Sequence, residues 1–280
     1  MQSNKVKYYQ HEDIDGLEIL NCRDSHFTFP LHVHLDYCIW INTACCENIF
    51  QKGQSKLLKP GYFGVISPGD VHSNAPCESK DRNLKTFYLS PDKIKDIYLK
   101  NLNSKENVSE FRTDFYKSIE MIRLLLELEA TLLSSCSSLE RQTAFLMMVL
   151  QLGNICGETP HRSNRHLAED RRLKKIFEIF NDRMEENLSL DEVASQVSCS
   201  PHYLIRFFKK AIGLTPHAYL IQLRLERAKR LLSAGNSIAD TAIQTGFNDQ
   251  SHLYKYFQRR YGQTPRIYQK QVSAKNITSI

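Results

Sequence analysis

The hydrophobic pattern of the chain begins as short apolar runs separated by turn signals. Two of these runs, Tyr37–Ile41 and Tyr62–Ile66, are rich in β-branched and aromatic residues, and Lys59-Pro60-Gly61 lies between them. Short strands punctuated by proline and glycine at this spacing are typical of a β-sandwich or barrel. We therefore predict an N-terminal β domain over residues 1–108.

The apolar positions change to helical spacing over residues 109–156. Their apolar residues are Phe115, Ile119, Ile122, Leu126 and Leu133 in a first helix, and Leu139, Phe145, Met148 and Leu152 in a second. Each apolar stripe needs a partner surface, which is either the β domain or the same helices of a second chain. The polar residues 157–166 that follow predict an interdomain linker.

Residues 167–280 predict helices and contain an internal repeat. At an offset of 49 residues, Gly213 matches Gly262 and Tyr219 matches Tyr268. Two copies of one small unit are the economical explanation. Each copy predicts a short helix, a tight turn and a longer helix, and a helix over Pro216–Ser233 joins the two copies.

The turn residues indicate how each unit bends. In the first copy, Ser200 caps the long helix and Pro201 occupies its first position, where a missing N–H costs nothing. In the second copy, Asp249 is the predicted cap and Gly246 suits a turn that needs positive φ. Because Ser198 holds the place equivalent to Gly246, we expect backbone strain there.

Both long helices place polar and partly basic residues opposite their apolar face, as in a helix-turn-helix whose second helix lies in the DNA major groove. The predicted DNA-facing residues are His202, Ile205, Arg206 and Lys209 in the first copy, and Gln250, Ser251, Tyr254, Lys255 and Gln258 in the second. Arg and Lys donate to guanine edges, Gln pairs with adenine, and an apolar side chain can contact a thymine methyl. A plain helical hairpin with a solvated basic face is the alternative.

The joining helix offers further cations to a nucleic acid. We predict that Arg224, Arg227, Lys229 and Arg230 are free to contact phosphates. Such contacts position a protein on DNA without reading its sequence. Replacing Arg227 should then weaken binding to all sequences alike.

The positive charge of the chain is concentrated in its C-terminal part. The whole chain carries 37 Lys and Arg against 31 Asp and Glu, a net charge of +6. Residues 200–275 alone carry 13 Lys and Arg against 3 Asp and Glu. A neutral N-terminal part and a basic C-terminal part indicate a sensing domain joined to an anion-binding domain.

Neither a secretory signal nor a membrane span is predicted. The N-terminus is polar, and the longest unbroken apolar run, Ala144–Leu150, has seven residues, whereas a membrane span needs about 20. The eight cysteines form no C-x-x-C pair. We expect a cytoplasmic protein with reduced thiols, in which Cys45 and Cys46 are either buried small hydrophobes or a redox-sensing pair.

The C-terminal residues 167–271 resemble the double helix-turn-helix domain of AraC/XylS-type transcription regulators. The motifs that carry the resemblance are Ser200-Pro201-x-Tyr203-Leu204-x-Arg206, Gly213-x-Thr215-Pro216-x-x-Tyr219 and Gly262-x-Thr264-Pro265-x-x-Tyr268. The resemblance implies binding to promoter DNA and recruitment of RNA polymerase. We predict a regulator that acts as an activator.

Three histidines are the candidate chemistry of the β domain. Strand alternation places His32 and His34 on one face, and His72 follows a turn. Three imidazoles that converge inside a barrel would suit Zn or Fe. The interpretation that we favour is an effector pocket formed by the three histidines with Tyr37 and Trp40. In the simplest alternative, His32 and His34 only hydrogen-bond to turns.

The pattern around these histidines resembles the cupin-like sensor domain of many AraC-type regulators. It is carried by Pro30-x-His32-x-His34-x-x-Tyr37, Pro60-Gly61 and Pro68-Gly69-x-x-His72. The resemblance implies a small-molecule pocket in a barrel, followed by helices that dimerise. Cupin enzymes usually add a glutamate shortly after the paired histidines, whereas the only acidic residue at that place is Asp36.

Together these patterns predict an α+β protein. It has an N-terminal cupin-like β-barrel with trailing helices and a C-terminal all-α double helix-turn-helix domain. We predict a homodimeric, sequence-specific DNA-binding regulator that is controlled by a small effector and is not an enzyme, with no required cofactor. The alternatives are a metal-dependent cupin enzyme fused to a DNA-binding module, and a constitutive architectural DNA-binding protein.

Overall fold

The computed structural model describes residues 6–51, 53–77, 82–101, 110–158 and 167–273. Strands dominate the first part and helices the second, so the predicted α+β class is confirmed. Most of the predicted linker, residues 159–166, lies outside the described residues. Among the described residues, no helix has the length and apolar character needed to cross a membrane.

The secondary-structure elements are numbered separately for strands and helices. The strands are β1 (Val6–Tyr9), β2 (Leu17–Arg23), β3 (Phe29–His32), β4 (Tyr37–Asn42), β5 (Glu47–Gln51), β6 (Gln54–Leu58), β7 (Tyr62–Ile66), β8 (His72–Pro76), β9 (Asn83–Leu89), β10 (Glu110–Phe111), β11 (Asp114–Lys117) and β12 (Gly157–Glu158). The helices are α1 (Pro91–Asn101), α2 (Ile119–Leu132), α3 (Ser138–Cys156), α4 (Leu167–Asp182), α5 (Leu190–Gln196), α6 (Pro201–Ile212), α7 (Pro216–Ser233), α8 (Ile238–Gln244), α9 (Gln250–Tyr261) and α10 (Pro265–Val272).

The β domain consists of two antiparallel sheets that share an apolar core. The larger sheet has the strand order β1-β2-β9-β4-β7-β11, and the smaller has the order β3-β8-β5-β6. Leu20 and Trp40 of the larger sheet and Phe29 and Ile49 of the smaller belong to this core. The two apolar runs predicted as strands from the sequence are β4 and β7.

The opposite face of the larger sheet is covered by α2 and α3. Since side chains alternate along a strand, Ile39 and Phe63 point away from the first core and join a second core with Leu125 of α2 and Val149 of α3. The trailing helices therefore pack against the β domain of their own chain.

The predicted apolar stripe of the first trailing helix is wrong. Phe115 lies in β11, which pairs with β7, and Ser118 caps a helix that begins only at Ile119. The buried face of α2 instead carries Met121, Leu125, Leu128 and Leu132. The predicted Ile119 is 76% exposed. The predicted helical period starts from Phe115, which belongs to a strand and not to the helix. Helix α1 was not predicted either, since it lies within residues 1–108, which were predicted as a β domain.

The helical repeat is confirmed in detail. Gly213 ends α6 and Gly262 ends α9, both in the left-handed conformation with φ of 92° and 71°. Ser198 and Gly246 have φ of 52° and 72° in the two turns, as the sequence alignment of the copies predicts. Ser200 and Asp249 cap α6 and α9 by accepting from backbone N–H groups, which fixes where each long helix begins.

The two repeats pack differently against the β domain. In the first repeat (α5 and α6), Phe208 packs with Phe180 of α4, and the core they form includes Val33 from the segment after β3. In the second repeat (α8 and α9), Phe257 lies in the same core as Trp40 from between the sheets. The β domain thus contacts both halves of the helical domain.

Candidate functional site

Helix α6 exposes the polar face that was predicted to meet DNA. His202, Ile205, Arg206 and Lys209 are all exposed to solvent, whereas Leu204 and Phe208 of the opposite face are 0% exposed. The burial of the apolar face fixes the rotation of α6 about its own axis. The face that points away from the core is therefore free for a partner.

Helix α9 repeats this arrangement in the second unit. Leu253 and Phe257 are 0% exposed and anchor the helix. The other face is exposed to solvent and carries Gln250, Ser251, Tyr254, Lys255, Gln258 and Arg259. Arg259 was not predicted, although its spacing of four residues from Lys255 places both on one helix face.

Two of the four cations predicted to be free on the joining helix α7 are buried in the protein. Arg224 donates to the backbone carbonyls of Met184 and Glu186, both at 2.7 Å. Lys229 forms a buried ion pair with Glu18 of β2. Both predictions are wrong for the same reason: each residue has one buried apolar residue a helical turn before it and another a turn after it, and so lies on the inward face of the helix.

The other two cations on α7 remain at the surface. The Arg227 side chain is 43% exposed and its guanidinium lies 2.8 Å from the carboxylate of Glu185. The Arg230 side chain is 60% exposed and lies 3.3 Å from Asp36 of the β domain. Exposed pairs of this kind are weak and are easily exchanged for a phosphate.

The three histidines of the β domain do converge. His32 at the end of β3 pairs with His72 at the start of β8, and the Nε2 atoms of His32 and His34 lie 3.1 Å apart. One ring nitrogen of each histidine lies within 4.8 Å of the others, and all three residues are buried. Backbone carbonyls accept from the Nδ1 atoms of His32 (Pro30, 2.5 Å) and His72 (Asp70, 3.1 Å).

Burial keeps these imidazoles neutral. Loss of solvent lowers the pKa of His32 and of His34 well below the usual value, and the charge of Arg260 lowers both pKa values further. Burial also lowers the pKa of His72 to about 4. At neutral pH each ring therefore keeps one nitrogen lone pair available as an acceptor or ligand.

The space between the sheets beside the histidines is small. Its cavity measures about 20 Å³ and is bordered by the histidines, Trp40 and Tyr88 among others, which is room for one water-sized ligand. Tyr37 does not border it. Tyr37 joins the core under α2 and α3, so its predicted place in the pocket is wrong. Residues 37 and 40 differ by an odd number of positions, and alternation places them on opposite faces.

Charged residues from both domains meet next to the histidines. Nη2 of Arg260, from α9, lies 3.1 Å from Nε2 of His34 and 3.6 Å from Glu226 of α7. The Tyr268 hydroxyl donates to Glu18 at 2.6 Å, and the Tyr261 hydroxyl donates to Glu226 at 3.0 Å. Arg260 was not among the predicted site residues; the sequence signal for it is its position three residues after Phe257, on the inward face of α9.

A larger cavity lies between the β domain and helices α7 and α10. Its volume is about 580 Å³, within the range of small-molecule sites. Glu18 and Tyr88 border it from the β domain, and Glu226, Lys229 and Tyr268 border it from the helical domain. None of these five was predicted as an effector-binding residue, because the partners are far apart in sequence.

Comparisons with known proteins match this architecture. A family model described as a helix-turn-helix domain matches residues 193–271. An uncharacterized HTH-type transcriptional regulator of Bacillus subtilis, YbfI, is 27% identical over 225 residues, which are 80% of this chain and 81% of that protein. The transcriptional activator RhaS of Escherichia fergusonii is 27% identical over 250 residues, 85% of this chain and 86% of that protein.

Solved structures share the fold of nearly the whole chain. The crystal structure of ToxT from Vibrio cholerae superposes with a TM-score of 0.58 at 13% identity, covering 93% of this chain and 99% of ToxT. A second ToxT structure, with an unsaturated fatty acid bound, has a TM-score of 0.56 at 13% identity and covers 97% and 98%.

The matched helix-turn-helix domain coincides with the two repeats and their exposed faces. The relatives that match over most of this chain are transcription regulators, and the fold of ToxT extends the match to the N-terminal β domain. The chain thus carries a helix-turn-helix domain over residues 193–271, which follows a two-sheet β domain, and it is similar over most of its length to transcription regulators.

Proposed function

We propose that the chain is a cytoplasmic, sequence-specific activator that reads promoter DNA with α6 and α9. The observation that carries this proposal is that two copies of one capped unit present solvent-exposed polar faces. Helix α7 has 18 residues, which span about 27 Å at 1.5 Å per residue. This length suits two recognition helices placed about one DNA turn, ~34 Å, apart.

Control by a small effector is the second part of the proposal. The binding of a fatty acid by ToxT shows that a relative in fold holds a small ligand. In this chain the cavity of about 580 Å³ is a better candidate than the space of about 20 Å³ between the sheets. An effector there contacts α7, and it shifts DNA binding only if its affinity differs between two states of the protein.

Dimerisation and contact with RNA polymerase belong to the same proposal. The outer surface of α2 and α3 keeps exposed apolar side chains after their inner faces are buried: Ile119, Leu133, Leu139 and Met147. An exposed apolar surface of this kind favours association with another protein. Sedimentation of the full-length protein with and without DNA measures whether two chains bind one site.

Selection of bound sequences from a random duplex library tests the function directly. The full-length protein should enrich a site with two short blocks about one helical turn apart. Enrichment of no sequence, together with affinity that falls steeply with salt and ignores sequence, would instead support a constitutive architectural DNA-binding protein. A site with a single block would contradict the use of both recognition helices.

We also propose that His32, His34 and His72 can hold a divalent transition metal. Their donor set is three neutral imidazoles, which suits zinc. The Nδ1 atoms of His32 and His72 are directed to carbonyl oxygens, and Nδ1 of His34 lies 3.5 Å from the carboxylate of Glu226. Outer partners of this kind orient metal-binding histidines in proteins.

Equilibrium dialysis with Zn²⁺ and elemental analysis of the full-length protein test the metal. The wild type should bind one equivalent, and His32→Gln and His72→Gln should lose it, whereas the exposed His26→Gln should not. Absence of binding in the wild type would leave the histidines as hydrogen-bonding residues of the turns.

A further inference from the structure

The cavity between the β domain and α7 has an unusually acidic wall for a basic protein. Lys229 and Arg230 are its lysine and arginine residues, and its carboxylate residues are Glu12, Asp15, Glu18, Asp36, Asp92 and Glu226. Glu18 and Glu226 are buried. Both already have a cationic partner within the protein, Lys229 for Glu18 and Arg260 for Glu226. A buried charge is stable only when it is paired, so a ligand that takes the place of Lys229 beside Glu18 must itself be positively charged.

The wall already holds one cation, which comes from the protein itself. The ammonium of Lys229 pairs with Glu18 and lies 4.5 Å from the ring centroid of Tyr88, 5.0 Å from Tyr8, 5.4 Å from Tyr261 and 5.8 Å from Tyr268. A carboxylate surrounded by aromatic faces is the arrangement with which proteins recognise organic ammonium groups.

The arrangement is contributed by both domains. Tyr8, Tyr88 and Glu18 belong to the β domain, whereas Lys229 and Tyr268 belong to the helical domain. Lys229 thus fills a cation site of the β domain from α7. An external cation that entered the cavity would meet Glu18 and Tyr88 where Lys229 now lies.

We propose that this cavity binds a small organic cation, an amine or a quaternary ammonium compound, which competes with Lys229 for Glu18 and the tyrosine rings. The inference rests on the proposed function, because it names the chemical class of the effector. The volume of about 580 Å³ admits a ligand of metabolite size. Displacement of Lys229 breaks its ion pair with Glu18 and so weakens the contact between the β domain and α7. Helix α7 joins the two recognition helices.

Isothermal titration of the full-length protein tests the ligand class. The probes are tetramethylammonium, spermidine and, as an anion of the type bound by ToxT, oleate. We expect one of the two cations to bind with a stoichiometry of one per chain. Glu18→Gln should weaken that binding by about tenfold, and Glu178→Gln, the same change on an exposed residue of α4, should leave it unchanged.

Lys229→Met should change the affinity for a cation and the affinity for an anion in opposite directions. Removing the internal competitor should tighten binding of the cation, whereas an anionic ligand would lose its partner and bind more weakly. If Glu18→Gln fails to fold, Asp36→Asn on the same wall replaces it and should also weaken the cation. The proposal would be overturned if oleate bound to the wild type and not to Lys229→Met. It would also be overturned if neither cation gave a measurable heat of binding at millimolar concentration.

DNA selection without any ligand keeps this test separate from that of the proposed function. A protein that selects a DNA site but binds neither cation contradicts only the ligand class. A protein that binds a cation as described but selects no DNA sequence, with or without the cation, contradicts the proposed function and leaves the cation site standing.

Discussion

Two residues at equivalent turns adopt the same backbone conformation, but its cost in free energy differs between them. Ser198 holds φ of 52° in the first repeat, and Gly246 holds φ of 72° in the second. A residue other than glycine in this region is strained by contact between its Cβ and its own backbone. Gly246 has a further constraint, because a Cβ there would lie 2.7 Å from the carbonyl oxygen of Met184.

Ser198→Gly should therefore stabilise the protein. Relief of strain is worth about 1 kcal/mol in the free energy of unfolding, less the entropy that glycine adds to the unfolded chain. Gly246→Ser should destabilise it by more than that, since strain and clash add. Urea unfolding measures both, and Gly235→Ala is the control, with φ of 90° and no atom within 4 Å of the added Cβ. Equal losses in Gly246→Ser and Gly235→Ala would remove the clash from the explanation.

The exposed residues of the two recognition helices should contribute to sequence preference separately. Arg206→Ala and Lys255→Ala should each relax base preference in one half of the site, at a cost of about 1–3 kcal/mol in binding. Arg227→Ala should weaken all sequences by a similar factor and reduce the salt dependence. Selection profiles of each variant measure this. A profile for Arg206→Ala identical to that of the wild type would exclude Arg206 from base recognition.

The exposed faces of α6 and α9 were predictable from the sequence, whereas the burial of the inward cations was not. Helical period alone separates Leu204 from Arg206, because the core side needs apolar residues. It assigns Arg224 and Lys229 wrongly to the surface, because a charged residue on an inward position is stable only with a buried partner. Their partners lie on other elements, which no local pattern reveals.

At the level of elements, α2 and α3 show how one misplaced helix start changes the predicted core. Once β11 is recognised as a strand, the buried side of α2 is the one that carries Leu125, and Ile119 faces solvent. The larger sheet is thus covered on one face by the smaller sheet and on the other by these helices. The strands themselves were predictable, since alternating and aromatic runs bounded by turns have few other interpretations.

The two faces of α2 should respond oppositely to truncation. Leu125→Ala should cost about 2–5 kcal/mol in the free energy of unfolding, because it leaves a cavity against the larger sheet. Ile119→Ala should change it by no more than about 0.5 kcal/mol. Urea unfolding of both variants measures this. A large loss in Ile119→Ala, scaling with protein concentration, would instead show that the outer face is buried between two chains.

At the scale of the whole molecule, the two domains share one apolar core. The core between the sheets includes Phe257 and Tyr268 from the helical domain, and the hydrogen bond from Tyr268 to Glu18 joins residues 250 positions apart. This arrangement could not be predicted from the sequence. The signals for two domains were strong, but no pattern indicates which faces of two domains will meet.

The shared core predicts a single cooperative unfolding transition for the full-length protein. Arg260→Met should lower the free energy of unfolding by about 3–5 kcal/mol, because it leaves the carboxylate of Glu226 buried without its partner. The double variant Arg260→Met with Glu226→Gln should recover part of that loss. Calorimetry and circular dichroism measure the transition. Two separate transitions in the wild type would show that the domains unfold independently.

The segment between β3 and β4 limits how sensor domains and DNA-reading domains of this fold can be exchanged between proteins. Val33 enters the core of the first repeat, and the next residue, His34, contacts Arg260 of the second. A chimera that joined these DNA-reading helices to another sensor would lose both contacts at once and would leave Phe257 and Tyr268 uncovered. Recombination between proteins of this fold should therefore succeed only when the recipient sensor carries a segment that matches His32–Asp36, so that this short stretch limits which domains can be combined.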